Sequence, residues 1–126
     1  MSDHQLTINI PGVNAESGLE LCDGDSTIYL NSLRLYVANM PATLEKMRNV
    51  SAETLRDYAV FVHGAKGISE YIGAEEARKT AKQLAAMAKA GDLAGVLAQN
   101  EAFIKYAGNL IEDIRNWLKK NNALNA

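Results

Sequence analysis

The spacing of apolar residues is the feature that most limits how this chain can fold. From Asp25 onward, apolar residues recur every three or four positions, which is the period of an α-helix. No segment shows the strict alternation that a half-buried strand requires, and only two prolines, Pro11 and Pro41, interrupt the chain. The sequence therefore predicts an all-α protein, and 126 residues suit one domain with one core.

Turn and capping residues divide the helical pattern into segments. A first helix is predicted to begin at Asp25 or Ser26, because both residues are good N-caps. Pro41 suits the first turn of a new short helix that continues through Met47. Three longer helices are predicted to follow, over residues 52–72, 74–90 and 92–120.

The two ends of the chain lack this pattern. Residues 1–24 hold Pro, Gly, Asn, Ser and Asp between isolated apolar residues, so we expect an irregular N-terminal arm. Residues 121–126 are expected to form a frayed tail. Because short links join the helices of residues 25–120, neighbouring helices should be antiparallel. The predicted architecture is an up-down four-helix bundle with an additional short helix.

Charge and composition exclude several classes of protein. The formal net charge of −2 argues against binding to nucleic acid by bulk electrostatics. The single cysteine, Cys22, excludes an internal disulfide and a CxxC metal pair. The N-terminus has no signal-peptide pattern, and the longest strongly apolar run, YAVFV, is far too short to span a membrane. We therefore expect a cytoplasmic protein with no membrane partner.

The segment VHGAKGISEYIGA, residues 62–74, places His63 beside two glycines within a predicted helix. In projection at about 100° per residue, the core-facing stripe of this helix contains Leu55, Tyr58, Ala59, Val62, Ala65, Ser69 and Ile72. His63 lies roughly a quarter turn from the centre of that stripe. Gly64 and Gly67 fall outside that stripe, although each glycine costs about 1 kcal/mol relative to alanine inside a helix. Since packing does not require them there, the glycines favour access to the imidazole by a partner or a transferred group.

The chemistry open to this histidine is limited by its neighbours. A lone histidine at the edge of a core face is most often structural. A metal site or a catalytic triad would need further ligands or an activated nucleophile, and the sequence offers neither pattern. For the same reason, a metal or small-molecule binder in the bundle core is the weakest alternative. A nucleophilic imidazole needs only exposure and a nearby cation, which Lys66 supplies one helical turn away.

The run HGAKGIS, residues 63–69, followed by IGA, residues 72–74, resembles the motif of histidine-containing phosphotransfer (HPt) domains. That motif is commonly His-x-Leu-Lys-Gly-Ser/Ala-Ser/Ala, and then a hydrophobic residue, Gly and a small or hydrophobic residue. The resemblance extends to residues 10–39, which are similar to the family's N-terminal arm and first helix. It also covers residues 73–92, which are similar to its next helix and Gly-Asp turn.

The resemblance implies a phosphorelay carrier that passes phosphoryl groups between a histidine kinase, or the receiver of a hybrid kinase, and the aspartate of a response-regulator receiver. It makes His63 the phosphoryl acceptor, Lys66 the group that stabilises phosphoryl charge, and Gly67 the position that admits the receiver. The chain would be no enzyme by itself, would bind no cofactor and would act as a monomer, while the partner receiver would hold Mg²⁺. The expected docking residues are Arg56, Val60, Gly64, Glu70, Arg78 and Lys82.

The chain departs from the family pattern at four positions. Gly64 stands where Ala or Thr is usual, Ala65 where Leu is usual, and Ile68 where a small residue is usual. By counting, Ala85 takes the place of the Gln or Glu that many members carry on the facing helix. This last departure leaves an alternative function open, that of a non-catalytic helical module that binds receivers without phosphotransfer.

Overall fold

Five α-helices form the regular structure of residues 8–124, the part of the chain that the computed structural model describes. The helices are α1 (Ala15–Leu21), α2 (Ser26–Met47), α3 (Leu55–Ile72), α4 (Glu75–Lys89) and α5 (Leu93–Lys120). No strand occurs among these residues, so the prediction of an all-α protein is confirmed. None of the described helices has the length and apolarity needed to cross a membrane. Residues 1–7 of the predicted arm and 125–126 of the predicted tail lie outside the described range.

The four longer helices pack in a closed order around one core. Helix α2 lies against α3 and α5, and α4 also lies against α3 and α5. Each helix turns a stripe of apolar residues inward, because burying that stripe is the main source of its stability. On α3 the buried residues are Tyr58, Val62, Ala65, Ser69 and Ile72. All five belong to the stripe that the sequence predicts.

The prediction that Pro41 starts a new short helix is wrong. Pro41 lies inside α2, which runs without interruption from Ser26 to Met47. A proline within a helix removes one backbone hydrogen bond, yet its fixed φ is compatible with helical geometry. The buried side chains of Met40 and Leu44 lie on either side of it, and their packing in the core holds the helix together across the proline.

The additional short helix is instead α1, within the segment that the sequence predicts to be irregular. The side chain of Asn14 caps it by accepting a hydrogen bond from the backbone N–H of Ser17. The backbone N–H of Asn14 also donates to the carbonyl of Gly73, at 2.8 Å. Gly18 allows the close approach, since a Cβ there would lie 2.3 Å from Cε1 of Tyr29. Tertiary contact with the ends of α2 and α3 therefore defines this helix.

The ends of two other predicted segments also differ from expectation. Helix α3 begins at Leu55 rather than near residue 52, because the backbone N–H of Ser51 donates to Oγ1 of Thr54 and closes a turn before the helix. At the other end of the chain, the carbonyl of Ala123 accepts a hydrogen bond from Nη1 of Arg34, at 2.8 Å. Residues 121–124 are thus tied to α2, whereas the sequence suggests a frayed tail.

Buried tyrosine hydroxyls of α2 hold the C-terminal half of α3. The hydroxyl of Tyr29 donates to the carbonyl of Ile72 at 2.7 Å, and the hydroxyl of Tyr36 lies 3.1 Å from Oγ of Ser69. All these side chains are fully buried, so an unpaired hydroxyl would carry a desolvation penalty of about 1–3 kcal/mol. The hydrogen bonds therefore fix the position of α3 along and around its axis.

A third buried tyrosine holds the N-terminal half of α3. The hydroxyl of Tyr58 donates to Oδ1 of Asn100 on α5, at 2.8 Å. Nδ2 of Asn100 in turn donates to the carbonyl of Met47 at the end of α2, at 2.9 Å. Asn100 is only 2% exposed, and its two hydrogen bonds join three helices at one point.

We expect the stability of this protein to fall steeply in alkali, in part through Tyr36. Burial raises the pKa of Tyr36 to about 12, whereas an exposed tyrosine titrates near 10. Above pH 10 the unfolded chain loses this proton while the folded chain keeps it, so stability declines until the pH passes the folded pKa. Each pH unit in that window removes about 1.4 kcal/mol for one such group. Urea unfolding followed by circular dichroism between pH 8 and 11 measures this decline.

The variant Tyr36→Phe isolates the contribution of this phenol. At neutral pH it should be less stable than the wild type by about 1 kcal/mol, since it lacks the hydrogen bond to Ser69. The difference in free energy of unfolding between the two proteins should vanish by about pH 11, because only the wild type has the titrating group. Ser69→Ala removes the same hydrogen bond but keeps the phenol, so its difference from the wild type should persist. A Tyr36→Phe difference that stays constant with pH would contradict this account.

Candidate functional site

His63 lies on the face of α3 that points away from the core. Its imidazole is exposed, while its neighbour Val62 is fully buried. The outward face carries two large apolar side chains, Val60 at 66% exposure and Tyr71 at 60%. These residues lie about 16 Å apart along the helix axis, at 1.5 Å per residue. The rigid helix therefore presents His63 to solvent between two exposed apolar groups.

Open space surrounds both glycines beside His63. A Cβ built on Gly64 or Gly67 would meet no atom within 4 Å other than the helix's own backbone. The two glycines lie between Val60 and Tyr71 on the same stripe of α3, because all four positions fall within an arc of about 60°. Packing within this chain therefore does not require glycine at either position. The glycines leave the helix backbone bare beside the imidazole.

His63 lines a groove of about 300 Å³ between α3 and α4. Helix α3 contributes Ala59, Val60 and His63 to its walls, and α4 contributes Ala85 and Lys89. Ala85 therefore lies beside His63, at the position of the facing helix that counting along the family pattern assigns to it. An alanine has no polar atom in its side chain, so α4 offers the imidazole no side-chain hydrogen bond from this position.

A second groove, of about 380 Å³, adjoins the first. It shares Ala59 and Lys89 with the first groove and extends past Arg56 to the turn at Gly91. Its remaining lining residues, Leu55 and Ala88, are apolar. The two grooves together form a depression with an apolar floor, and its basic groups are His63, Arg56 and Lys89. Such a surface suits a partner that combines apolar contacts with negative charge.

Four other predicted site residues, Lys66, Glu70, Arg78 and Lys82, line neither groove. Lys66 is half-buried, one turn after His63 on α3, and Glu70 is exposed one turn further. On α4, Lys82 is exposed, while Arg78 is half-buried and forms an ion pair with Glu75 at 3.1 Å. Of the cations that the sequence predicts for the site, Arg78 is already engaged with a carboxylate of its own helix.

The sequence prediction omits Lys89 and Tyr71. Lys89 follows Ala85 by four residues, so the helical period places both side chains on one stripe of α4. That spacing is a signal that could have identified Lys89. Tyr71 follows Gly67 by four residues and extends the outward stripe of α3 in the same way. The packing of α4 against α3, and not the spacing alone, brings Lys89 to the groove of His63.

Metal-ligand geometry is not a feature of this site. Within residues 8–124, no group of three or more His, Cys, Asp or Glu side chains is placed to hold a metal ion. The exposed imidazole is instead flanked by a half-buried lysine, a bare helix backbone and a groove with one further lysine. Chemically, this arrangement offers a nucleophile with room for a bulky electrophile and cations for an anionic group.

Comparison with known proteins identifies no relative of this chain: no protein-family model, no curated protein and no solved structure matches it.

Alanine at either open glycine should stabilise the protein. We expect Gly64→Ala and Gly67→Ala each to raise the free energy of unfolding by up to about 1 kcal/mol, the helix-propensity difference between the two residues. The added methyl group meets no neighbour in either case, so no steric cost offsets the gain. Urea unfolding at neutral pH measures the change.

Two further glycines provide controls for this prediction. Gly108, in α5, is also surrounded by open space, so Gly108→Ala should give a similar gain. Gly18, in α1, would place its Cβ 2.3 Å from Tyr29, so Gly18→Ala should destabilise the protein by about 1–3 kcal/mol. A loss of stability in Gly64→Ala or Gly67→Ala would show that packing, rather than access, explains these glycines.

Proposed function

We propose that this protein is a phosphorelay intermediate that carries a phosphoryl group on His63. The observation that carries the proposal is the exposed imidazole beside two helix glycines that have no packing role. Glycine at these positions lowers the stability of the helix, although no packing contact within the chain requires it. Such glycines are expected where a second protein must approach the helix closely. The motif in residues 63–69, which resembles that of HPt domains, supports the same function.

The fold of the described residues is compatible with this role. In the proposal, α2 to α5 are the four-helix bundle of an HPt domain, α1 is its N-terminal addition, and α3 is the helix that carries the nucleophile. The chain is then a phosphocarrier and not an enzyme by itself. Its work is to hold one imidazole in a fixed position, and the catalytic groups and Mg²⁺ belong to the partner receiver.

The transfer step is a displacement at phosphorus. The lone pair of an unprotonated ring nitrogen of His63 attacks the phosphorus of a receiver phospho-aspartate. The P–O bond to the aspartyl oxygen breaks, the carboxylate leaves with the bonding electrons, and a P–N bond forms. The reverse step passes the phosphoryl group to the next aspartate. Positioning and charge neutralisation supply most of the rate in such reactions, and Lys66 offers positive charge one turn from the nucleophile.

The receiver is proposed to dock along the outward face of α3. Val60 and Tyr71 supply exposed apolar area at the two ends of this face, and Gly64 and Gly67 leave the middle open. The exposed or half-buried charged residues around it form the rim of the docking surface: Arg56, Glu70, Arg78 and Lys82. Rim charges of this kind act mainly on the rate of association and on the choice of partner.

A phosphotransfer assay tests the proposal. The full chain is incubated with a panel of phosphorylated receivers carrying ³²P, and with hybrid kinases and ATP. The wild type should gain a label that is stable in base and labile in acid, as a phosphohistidine is, and His63→Gln should gain none. Both chains should melt at similar temperatures, because His63 is exposed. A label that survives the substitution, or no label from any donor, would refute the proposal.

Gly67→Ala separates access from stability in the same assay. This variant should be more stable than the wild type yet slower in transfer, because the methyl group stands where the receiver must approach. Displacing the reacting groups by about 1 Å can cost on the order of a hundredfold in rate. Gly108→Ala, with the same added methyl on α5, should transfer at the wild-type rate. Equal rates in the two variants would argue that the receiver does not contact Gly67.

Ala85 favours a second candidate function. Because this residue lines the groove of His63 with no polar side-chain atom, the imidazole lacks a partner from that position of α4. A chain that has lost transfer could still bind receivers as a non-catalytic module. Receiver binding of equal affinity in the wild type and in His63→Gln, without any transfer, would support this alternative.

A further inference from the structure

The groove beside His63 contains a lysine to which the sequence motif assigns no role. Lys89 comes from α4 and lines the groove together with His63 from α3. Among the lining residues of this groove, which all lie within residues 8–124, Lys89 is the only lysine or arginine. It forms no ion pair with another residue of that range. Its ammonium group is therefore available to an anion that enters the groove.

One stripe of α4 carries three basic residues and one alanine. Arg78, Lys82, Ala85 and Lys89 are separated by four, three and four positions, so they lie on one stripe. Arg78 is paired with Glu75, and Lys82 does not line the groove. Ala85 lies beside His63 and fills little space, so it leaves room next to the imidazole. Lys89, one turn beyond Ala85, is the cation that borders this room.

We propose that Lys89 contacts the phosphoryl group on His63 and stabilises its charge from α4, as Lys66 does from α3. The inference rests on the proposed function, since it names a second cation for the same phosphoryl group. It also explains how the site works with alanine at position 85. A neutral amide at that position would hold the group by hydrogen bonding, whereas the lysine one turn away neutralises it by charge.

A small phosphoryl donor tests this contact without a receiver. Phosphoramidate carries its phosphoryl group on ammonia, as H₃N⁺–PO₃²⁻. The lone pair of an unprotonated ring nitrogen of His63 attacks phosphorus, and the P–N bond of the donor breaks. Ammonia leaves with the bonding electrons, and the product is the phosphoimidazole with its other ring nitrogen still protonated. Because no protein docks in this reaction, a change in rate reports on the groove itself.

The experiment compares the wild type with Lys89→Gln, Lys89→Arg and Lys79→Gln. Modification at His63 is followed by mass spectrometry, and the phosphohistidine resonance by ³¹P NMR. Lys89→Gln should react roughly three- to tenfold more slowly, the effect of losing one charge-assisted contact, and should show a displaced ³¹P resonance. Lys89→Arg should restore the rate to within about twofold, because the contact depends on charge.

Lys79→Gln is the matched control. It makes the same change in net charge on the same helix, at an exposed lysine that lines neither groove and belongs to no part of the proposed docking surface. Its rate and its ³¹P resonance should match those of the wild type. Lys89 is also the last residue of α4, where a cation stabilises the helix terminus, so Lys89→Gln should lower the melting temperature slightly. That structural role predicts neither the displaced resonance nor a selective loss of rate.

The outcomes separate this inference from the proposed function. Equal rates and resonances in Lys89→Gln and Lys79→Gln overturn the inference, even if receivers phosphorylate the wild type. No phosphohistidine in the wild type after exposure to phosphoramidate overturns it as well. A loss of reaction rate that is confined to Lys89→Gln supports the inference. If no receiver labels His63 in that case, only the proposed function is refuted.

Discussion

The fixed position of α3 depends on buried tyrosine hydroxyls that bind it at both ends. Tyr29 and Tyr36 of α2 bond the C-terminal turns of α3, and Tyr58 of α3 bonds Asn100 of α5. Apolar contact alone has no direction, so it permits a helix to slide or rotate against its neighbours. Hydrogen bonds in a dry interior demand one register, because any shift leaves a polar group unpaired.

This constraint gives α3 two faces with opposite properties. The inner face is buried and its register is fixed, whereas the outer face carries bare backbone at Gly64 and Gly67. Two glycines would weaken an isolated helix by about 2 kcal/mol in total. The three tyrosine hydrogen bonds contribute about 1 kcal/mol each. The hydrogen bonds of the buried face therefore offset the stability that the two glycines cost on the exposed face. The imidazole of His63 thus stands on a rigid support with free space around it.

The sequence suffices to predict features that depend on the position of a residue on one helix. The core stripe of α3 and the outward placement of Gly64 and Gly67 follow from the helical period, and the structure agrees with both. The sequence does not suffice where contacts between distant segments decide the outcome. Pro41 has the local pattern of a helix start, yet core packing on both sides of it continues α2 through the proline. Helix α1 looked irregular because its contacts with Tyr29 and Gly73 are invisible to local propensity.

By itself, the sequence determined the all-helical class and the face of α3 on which His63 lies, because both depend on a period of 3.6 residues within a single segment. The tertiary structure decided which groups from other helices stand beside that histidine. The packing of α4 on α3 placed Ala85 and Lys89 in its groove, and the pairing of tyrosines with Ser69, Ile72 and Asn100 fixed the register. These contacts join residues from 22 to 43 positions apart, and helical periodicity carries no information over such separations.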